Sequence, residues 1–122
     1  MARILVVDDE ESVREFITDL LTMDGHAVDQ AANGLEAVAL ARKKPFDLVI
    51  LDRNMPKTDG IMVLTILRCD ANLKGLKVLM CTSLSVTKEV DEAFQAGADD
   101  YIIKPLNLQS LLGKVKKLVG HA

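Results

Sequence analysis

Two rhythms of apolar residues alternate along this chain. Residues 3–7 (RILVV) form a continuous apolar run of strand length. Val13, Phe16, Ile17, Leu20 and Leu21 then recur at the i, i+3, i+4, i+7, i+8 spacing of one helix face. Asp24-Gly25 stops that helix, and AVDQA (27–31) alternates more weakly, as an edge strand does. Asn33-Gly34 opens a second helix that runs to about Lys44, where Pro45 ends it. DLVIL (47–51) is another buried run, and Asp59-Gly60 introduces a third helix. That helix, with Ile61, Met62, Val63, Leu64, Ile66 and Leu67, has little polar face, which predicts burial with some apolar area left exposed. KVLMC (77–81) reads as a fourth strand, and Val86, Val90, Ala93 and Phe94 mark a fourth helix. YII (101–103) is the last strand, and Leu108, Leu111, Leu112, Val115, Leu118 and Val119 line the last helix.

Strands that are apolar on both faces and joined by helical crossovers predict a parallel sheet covered on two sides. Right-handed crossovers restrict this α/β chain to a doubly wound (βα)5 sheet. Ligands of such sheets bind outside the carboxyl ends of the strands, where the strand order reverses. The residues just after each strand therefore become the candidates for chemistry.

The first strand is followed by Asp8 and Asp9, the third by Asp52, the fourth by Thr82, and the fifth by Lys104 and Pro105. Two carboxylates about 4 Å apart repel by ~4 kcal/mol at an effective dielectric of ~20. One lysine does not neutralise three acids, whereas a hard divalent cation with oxygen ligands does, and magnesium suits such a site. A carboxylate beside that cation is a nucleophile toward a phosphoryl group, with a lysine and a hydroxyl to hold the resulting oxygens. Each residue also has a plainer reading. Asp8 and Asp9 could cap the next helix, Asp52 could be a turn residue, and Thr82 could be a strand-end hydroxyl. Their convergence at one edge favours a site. Glu10 and Glu11 read as first-turn acids, Asp59 as a cap, and Asp99 and Asp100 as loop and strand-start residues. His26 and His121 read as loop and tail residues.

The bulk properties narrow the function classes. The chain has 122 residues, enough for one domain with its own core. A net charge of −3 gives no electrostatic case for binding nucleic acid. No apolar stretch is long enough for a membrane helix, and the start has no signal-peptide pattern. Cys69 and Cys81, lying in apolar segments, read as reduced thiols of a cytoplasmic protein.

Taken together, DD after the first strand, DRNMP with Asp52 after the third, Thr82, and GADDYIIKPL ending in Lys104-Pro105 resemble the receiver domain of bacterial response regulators, of the CheY-like single-domain kind. The resemblance covers essentially the whole chain, residues 1–122. It implies a flavodoxin-like strand order 2-1-3-4-5 and a two-component signalling function. Asp52 would be the phosphoacceptor. Asp9 would bind Mg2+ directly and Asp8 through water, with Asp52 and the Asn54 backbone carbonyl completing the protein ligands. Lys104 would pair with the phosphoryl group, and the Thr82 hydroxyl would swing to hydrogen-bond it. Tyr101 would be an aromatic switch that alters the face made by the fourth helix, fifth strand and fifth helix. The Lys104-Pro105 bond would be cis, as only about one X–Pro bond in twenty is.

The implied partners are a histidine kinase or histidine phosphotransfer protein and a downstream protein target, with dimerisation possible on phosphorylation. Leu84, two residues after Thr82, offers no acid or amide to position an attacking water, so a long-lived phosphorylated state is expected. The output of a chain ending at GHA would be a protein partner or onward phosphoryl transfer. The alternative is a receiver fragment of a larger regulator. A phosphohydrolase with an aspartyl-phosphate intermediate is disfavoured because Asn54 stands where such enzymes resemble Asp-x-Asp. A dinucleotide-binding module is disfavoured because DDEES, not a glycine-rich loop, follows the first strand.

Overall fold

A computed structural model of the chain describes residues 2–53, 55, 59–73, 75–82, 94–104 and 107–119. Its elements are β1 (Arg3–Val7), α1 (Glu11–Met23), β2 (Ala27–Ala31), α2 (Gly34–Lys43), β3 (Leu48–Asp52), α3 (Gly60–Cys69), β4 (Lys77–Thr82), β5 (Asp100–Ile103) and a C-terminal helix (Leu108–Val119). A short 3-10 turn, Ala71–Leu73, links α3 to β4. Phe94 and Gln95 are helical, while the rest of the segment expected as a fourth helix lies outside the described residues.

The five strands form one sheet in the order β2-β1-β3-β4-β5, and every neighbouring pair is parallel. This is the expected doubly wound arrangement, with the AVDQA segment as an edge strand. The register sets the carboxyl ends level. Val7 pairs with Leu51, Asp52 with Cys81, and Thr82 with Ile103. Asp8, Asp52, Thr82 and Lys104 are therefore delivered to one edge by four adjacent strands.

Alternation along those strands divides the core in two. Leu5, Val7, Val49, Leu51, Val78 and Met80 pack with Val63, Leu64 and Leu67 of α3 and Ala37 and Ala41 of α2. Ile4, Val6, Leu48, Ile50, Leu79, Cys81 and Ile102 pack with Ile17 and Leu21 of α1 and with Leu111 and Val115 of the C-terminal helix. Each such Val, Leu or Ile side chain stabilises the fold by about 1.5–3 kcal/mol relative to exposure. The apolar α3 follows expectation in both respects, burying Val63, Leu64 and Leu67 while leaving Met62 and Ile66 exposed.

Local signals fix the helix ends. Asn33 Oδ1 accepts the Glu36 N–H at 3.0 Å, Asp59 Oδ1 the Ile61 N–H at 2.9 Å, and Asn107 Oδ1 the Ser110 N–H at 3.0 Å. Gly25, with φ of 91°, turns the chain after α1. Asp99, expected to be structural, is so: it accepts Arg68 Nη2 at 2.7 Å and the Val78 N–H at 2.8 Å. Arg68 also donates to the carbonyls of Gly97 and Leu76, so one guanidinium ties α3 to the segment leading into β5. His26 does more than fill a loop, because its Nδ1 accepts the Ala2 N–H at 3.1 Å.

Gly60 lies against the site strand. A Cβ there would sit 2.6 Å from Arg53 Cα and 2.6 Å from the Asp52 carbonyl oxygen, both backbone atoms. Gly113, on the exposed side of the C-terminal helix, would meet nothing within 4 Å. We predict opposite signs for the two alanine substitutions in urea unfolding. Gly60→Ala destabilises by about 1–3 kcal/mol through overpacking, whereas Gly113→Ala stabilises by about 0.5–1 kcal/mol through helix propensity.

Candidate functional site

Among the described residues, the buried polar or charged side chains are Asp8, Asp52 and Thr82, and all three lie at the carboxyl edge of the sheet. Burying a carboxylate without compensation is costly, so their company matters. Lys104 Nζ lies 3.3 Å from Asp8 Oδ2 and 3.3 Å from Asp52 Oδ2. Asp9 is exposed and completes an acidic group in which one oxygen each of Asp8, Asp9 and Asp52 lies within 4.8 Å of the others. Burial draws the Lys104 ammonium toward losing its proton, but Asp52 and Asp8 together outweigh it and hold its pKa above the usual lysine value.

The turn after β1 settles the question of capping. Glu10 stands at the N-cap of α1 without a side-chain cap bond. Instead Asp8 Oδ1 accepts the Glu10 N–H at 2.9 Å, so the same carboxylate organises the turn and faces Lys104 through its other oxygen. Glu11 is a first-turn acid, as expected.

The donor chemistry suits a hard divalent cation. The three candidate ligands are carboxylate oxygens, the kind of donor such a cation takes, and Lys104 faces two of them. Asn54, Leu84, Pro105 and His121, singled out in the sequence, lie outside the described residues.

Tyr101 is half-buried in β5, beside Met80 of β4. Its ring meets the Phe94 ring edge-on at 5.7 Å, and Lys114 Nζ lies 5.2 Å from the ring centroid. Lys114 also donates to Asp100 Oδ1 at 3.1 Å. Nothing in the sequence singles out Lys114, though its place three residues after Leu111 on an amphipathic helix is readable there. Cys81 was read only as a thiol. It is buried beside Asp52 in the sheet register.

A doubly wound parallel sheet with a buried acid pair, a lysine and a hydroxyl at its carboxyl edge defines the class of structure. Comparison with known proteins then makes the assignment. The family described as "Response regulator receiver domain" matches residues 4–116, and the chain belongs to it. The DNA-binding dual master transcriptional regulator RpaA of Synechocystis is 37% identical over 119 residues, which cover 98% of this chain and 49% of that protein. The chain thus spans about half the length of that relative and of others like it. Chemotaxis protein CheY-3 of Vibrio cholerae is 38% identical over 117 residues, covering 95% of this chain and 90% of that one. The solved structure of Vibrio cholerae CheY4 superposes with a TM-score of 0.92 at 34% identity, covering 97% and 98% of the two chains. Among the described residues, no helix is long and apolar enough to cross a membrane.

The buried thiol gives the site strand an alkaline liability. Burial pushes Cys81 up to about 12 from an ordinary 9.0, with Asp52 and Asp8 adding to the shift and Lys104 opposing it. The thiol is protonated in both states below pH 9. Above it the unfolded chain ionises and the folded one resists, so stability falls as pH rises toward 12. Lys104, raised in the fold, acts with the same sign at higher pH. We predict that Cys81→Ala lowers the urea midpoint at pH 7, through the cavity it leaves, yet flattens the decline measured from pH 8 to pH 11. An unchanged slope contradicts the role of the thiol.

Proposed function

We propose that residues 1–122 act as one receiver unit that accepts a phosphoryl group on Asp52 from a phosphohistidine of a histidine kinase or histidine phosphotransfer protein. The observation that carries this reading is the placement of Asp52: buried, 3.3 Å from Lys104 Nζ, and within 4.8 Å of ligand oxygens on Asp8 and Asp9. An Asp52 carboxylate oxygen attacks the phosphorus. The phosphorus–oxygen bond forms as the phosphorus–nitrogen bond breaks, and the departing imidazole keeps its electron pair. Asp9 directly, Asp8 through water, Asp52 and the Asn54 backbone carbonyl would hold Mg2+, whose charge offsets the repulsion between Asp52 and the incoming phosphoryl oxygens. Lys104 exchanges its contact with Asp52 for one with a phosphoryl oxygen, and the Thr82 hydroxyl donates to another.

The product adds a charge of about −1.5 to −2 at the edge. Thr82 moves toward it, and Tyr101 turns inward into the space that Thr82 vacates. The surface around β5 and the C-terminal helix then binds a downstream protein, dimerises, or passes the phosphoryl group on. The partners place this chemistry in the cytoplasm, which suits two free thiols, Cys69 and Cys81. Binding to nucleic acid by this unit has no support in its charge of −3. A phosphohydrolase reading is weaker, because Asn54 offers an amide where an acid would have to transfer a proton.

Incubation with Mg2+ and acetyl phosphate is expected to add the mass of one phosphoryl group to the wild-type protein and none to Asp52→Ala. An adduct that survives in Asp52→Ala, or none on the wild type, overturns the assignment. A separate expectation concerns lifetime. Leu84→Gln should speed loss of the phosphoryl group, followed by acid-quenched mass spectrometry, because an amide there can orient an attacking water. Equal rates in the two proteins would remove Leu84 from the account.

A further inference from the structure

Asp8 is engaged through each of its polar groups. Its N–H donates to the Ala31 carbonyl at 3.2 Å, its Oδ1 accepts the Glu10 N–H at 2.9 Å, and its Oδ2 faces Lys104 at 3.3 Å. Its own backbone carbonyl accepts from Nη1 of Arg14 at 2.8 Å. Arg14 is half-buried in the first turn of α1, and its Nε donates to Gln30 Oε1 at 3.2 Å on β2. One guanidinium therefore bridges the end of β1 and the edge strand beside it.

That bridge bears on Asp9. The carbonyl of Asp8 and the N–H of Asp9 belong to one rigid peptide plane. Restraining the carbonyl restrains the plane, and with it the place of the Asp9 Cα, so that the Asp9 carboxylate is left only its own φ and side-chain rotations. The turn lacks the usual alternative anchor, since the N-cap residue Glu10 makes no side-chain cap bond. Asp9 is itself exposed, so burial does not orient it. Its oxygen nevertheless lies within 4.8 Å of those of Asp8 and Asp52.

We infer that Arg14 is a positioning residue for the cation site, pinning the Asp8–Asp9 peptide plane so that Asp9 converges with Asp8 and Asp52. The inference rests on the reading of those acids as a Mg2+ site. The guanidinium holds Nε and Nη1 in a rigid planar fork that spans two separated acceptors, whereas a lysine gathers its donors at one flexible point. Arg14 touches neither a cation nor a phosphoryl group in this account. It acts through the backbone that carries the ligands, in the manner of partners that orient metal ligands from behind.

The test is Mg2+ affinity of the unphosphorylated protein by isothermal titration calorimetry, with the urea midpoint measured in parallel without Mg2+. Arg14→Met is expected to weaken Mg2+ binding about tenfold, and Arg14→Lys to recover part of that loss. Combining Arg14→Met with Asp9→Asn should cost less than the two losses multiplied, because one acts through the other. A lowered urea midpoint with Mg2+ affinity unchanged marks a purely structural arginine and overturns the inference. If Arg14→Met does not fold, Gln30→Leu decides by the same criterion, since it removes the second anchor of the guanidinium. A wild-type protein that takes up no Mg2+ overturns the cation reading itself, and that outcome is distinct from equal affinities in wild type and variant.

Discussion

One ammonium shared between two buried carboxylates governs the working edge of this protein. Lys104 Nζ stands 3.3 Å from both Asp8 Oδ2 and Asp52 Oδ2, and both acids are almost wholly shielded from solvent. Neither acid can be placed there alone, because an isolated buried carboxylate costs several kcal/mol after relaxation. The contacts of Lys104 do not balance in charge either, since one ammonium faces two carboxylates. The parallel sheet imposes this conflict through its register, which sets Asp8, Asp52 and Lys104 at the ends of adjacent or nearby strands.

The energy that tolerates the conflict comes from elsewhere in the molecule. Two apolar layers, one on each face of the sheet, hold the strands in register independently of the edge. Buried charge at the edge is tolerated where the core supplies the stability, as is common where a site must stay reactive. The surplus of negative charge has a chemical meaning as well. In the proposed reaction it would attract a hard cation and leave Lys104 ready to exchange one oxyanion for another. The same feature that weakens the edge makes it selective for what binds there.

Much of this is legible in the sequence, and the reason is periodicity. Strands buried on both faces are read as apolar runs, and the residue following each run is located to within one position. That is why Asp8, Asp9, Asp52, Thr82 and Lys104 could be gathered at one edge from the sequence. Boundaries were less certain: β5 starts at Asp100, one residue before the apolar run, because Asp100 pairs with Leu79 in the ladder. Contacts between side chains of different elements were not legible at all. Arg68 reaching Asp99, Lys114 over Tyr101 and Arg14 on the Asp8 carbonyl depend on how helices rotate on the sheet, and a single sequence carries no signal for that. The question of whether Asp8 caps the helix or joins the acidic cluster also had no answer in sequence terms, because one of its oxygens closes the turn onto Glu10 while the other faces Lys104.

The backbone at Lys104 links the edge to the rest of the fold. Its N–H donates to the Thr82 carbonyl at 2.7 Å, so Lys104 and Thr82 are joined through the main chain of β5 and β4. Three residues earlier on the same strand, Tyr101 lies against Phe94 and Lys114. In the proposed reaction Lys104 and Thr82 both turn toward one new dianion, and both are attached to strands that carry Tyr101 and its neighbour Met80. Transmission to the surface therefore needs no long pathway. It needs only that the ring have two arrangements of similar energy, and a half-buried tyrosine held by an edge-on ring and a cation has interactions of about 0.5–1.5 kcal/mol each to exchange. Differences of that size shift a two-state population by several-fold without threatening the fold, which is the range a reversible signal requires.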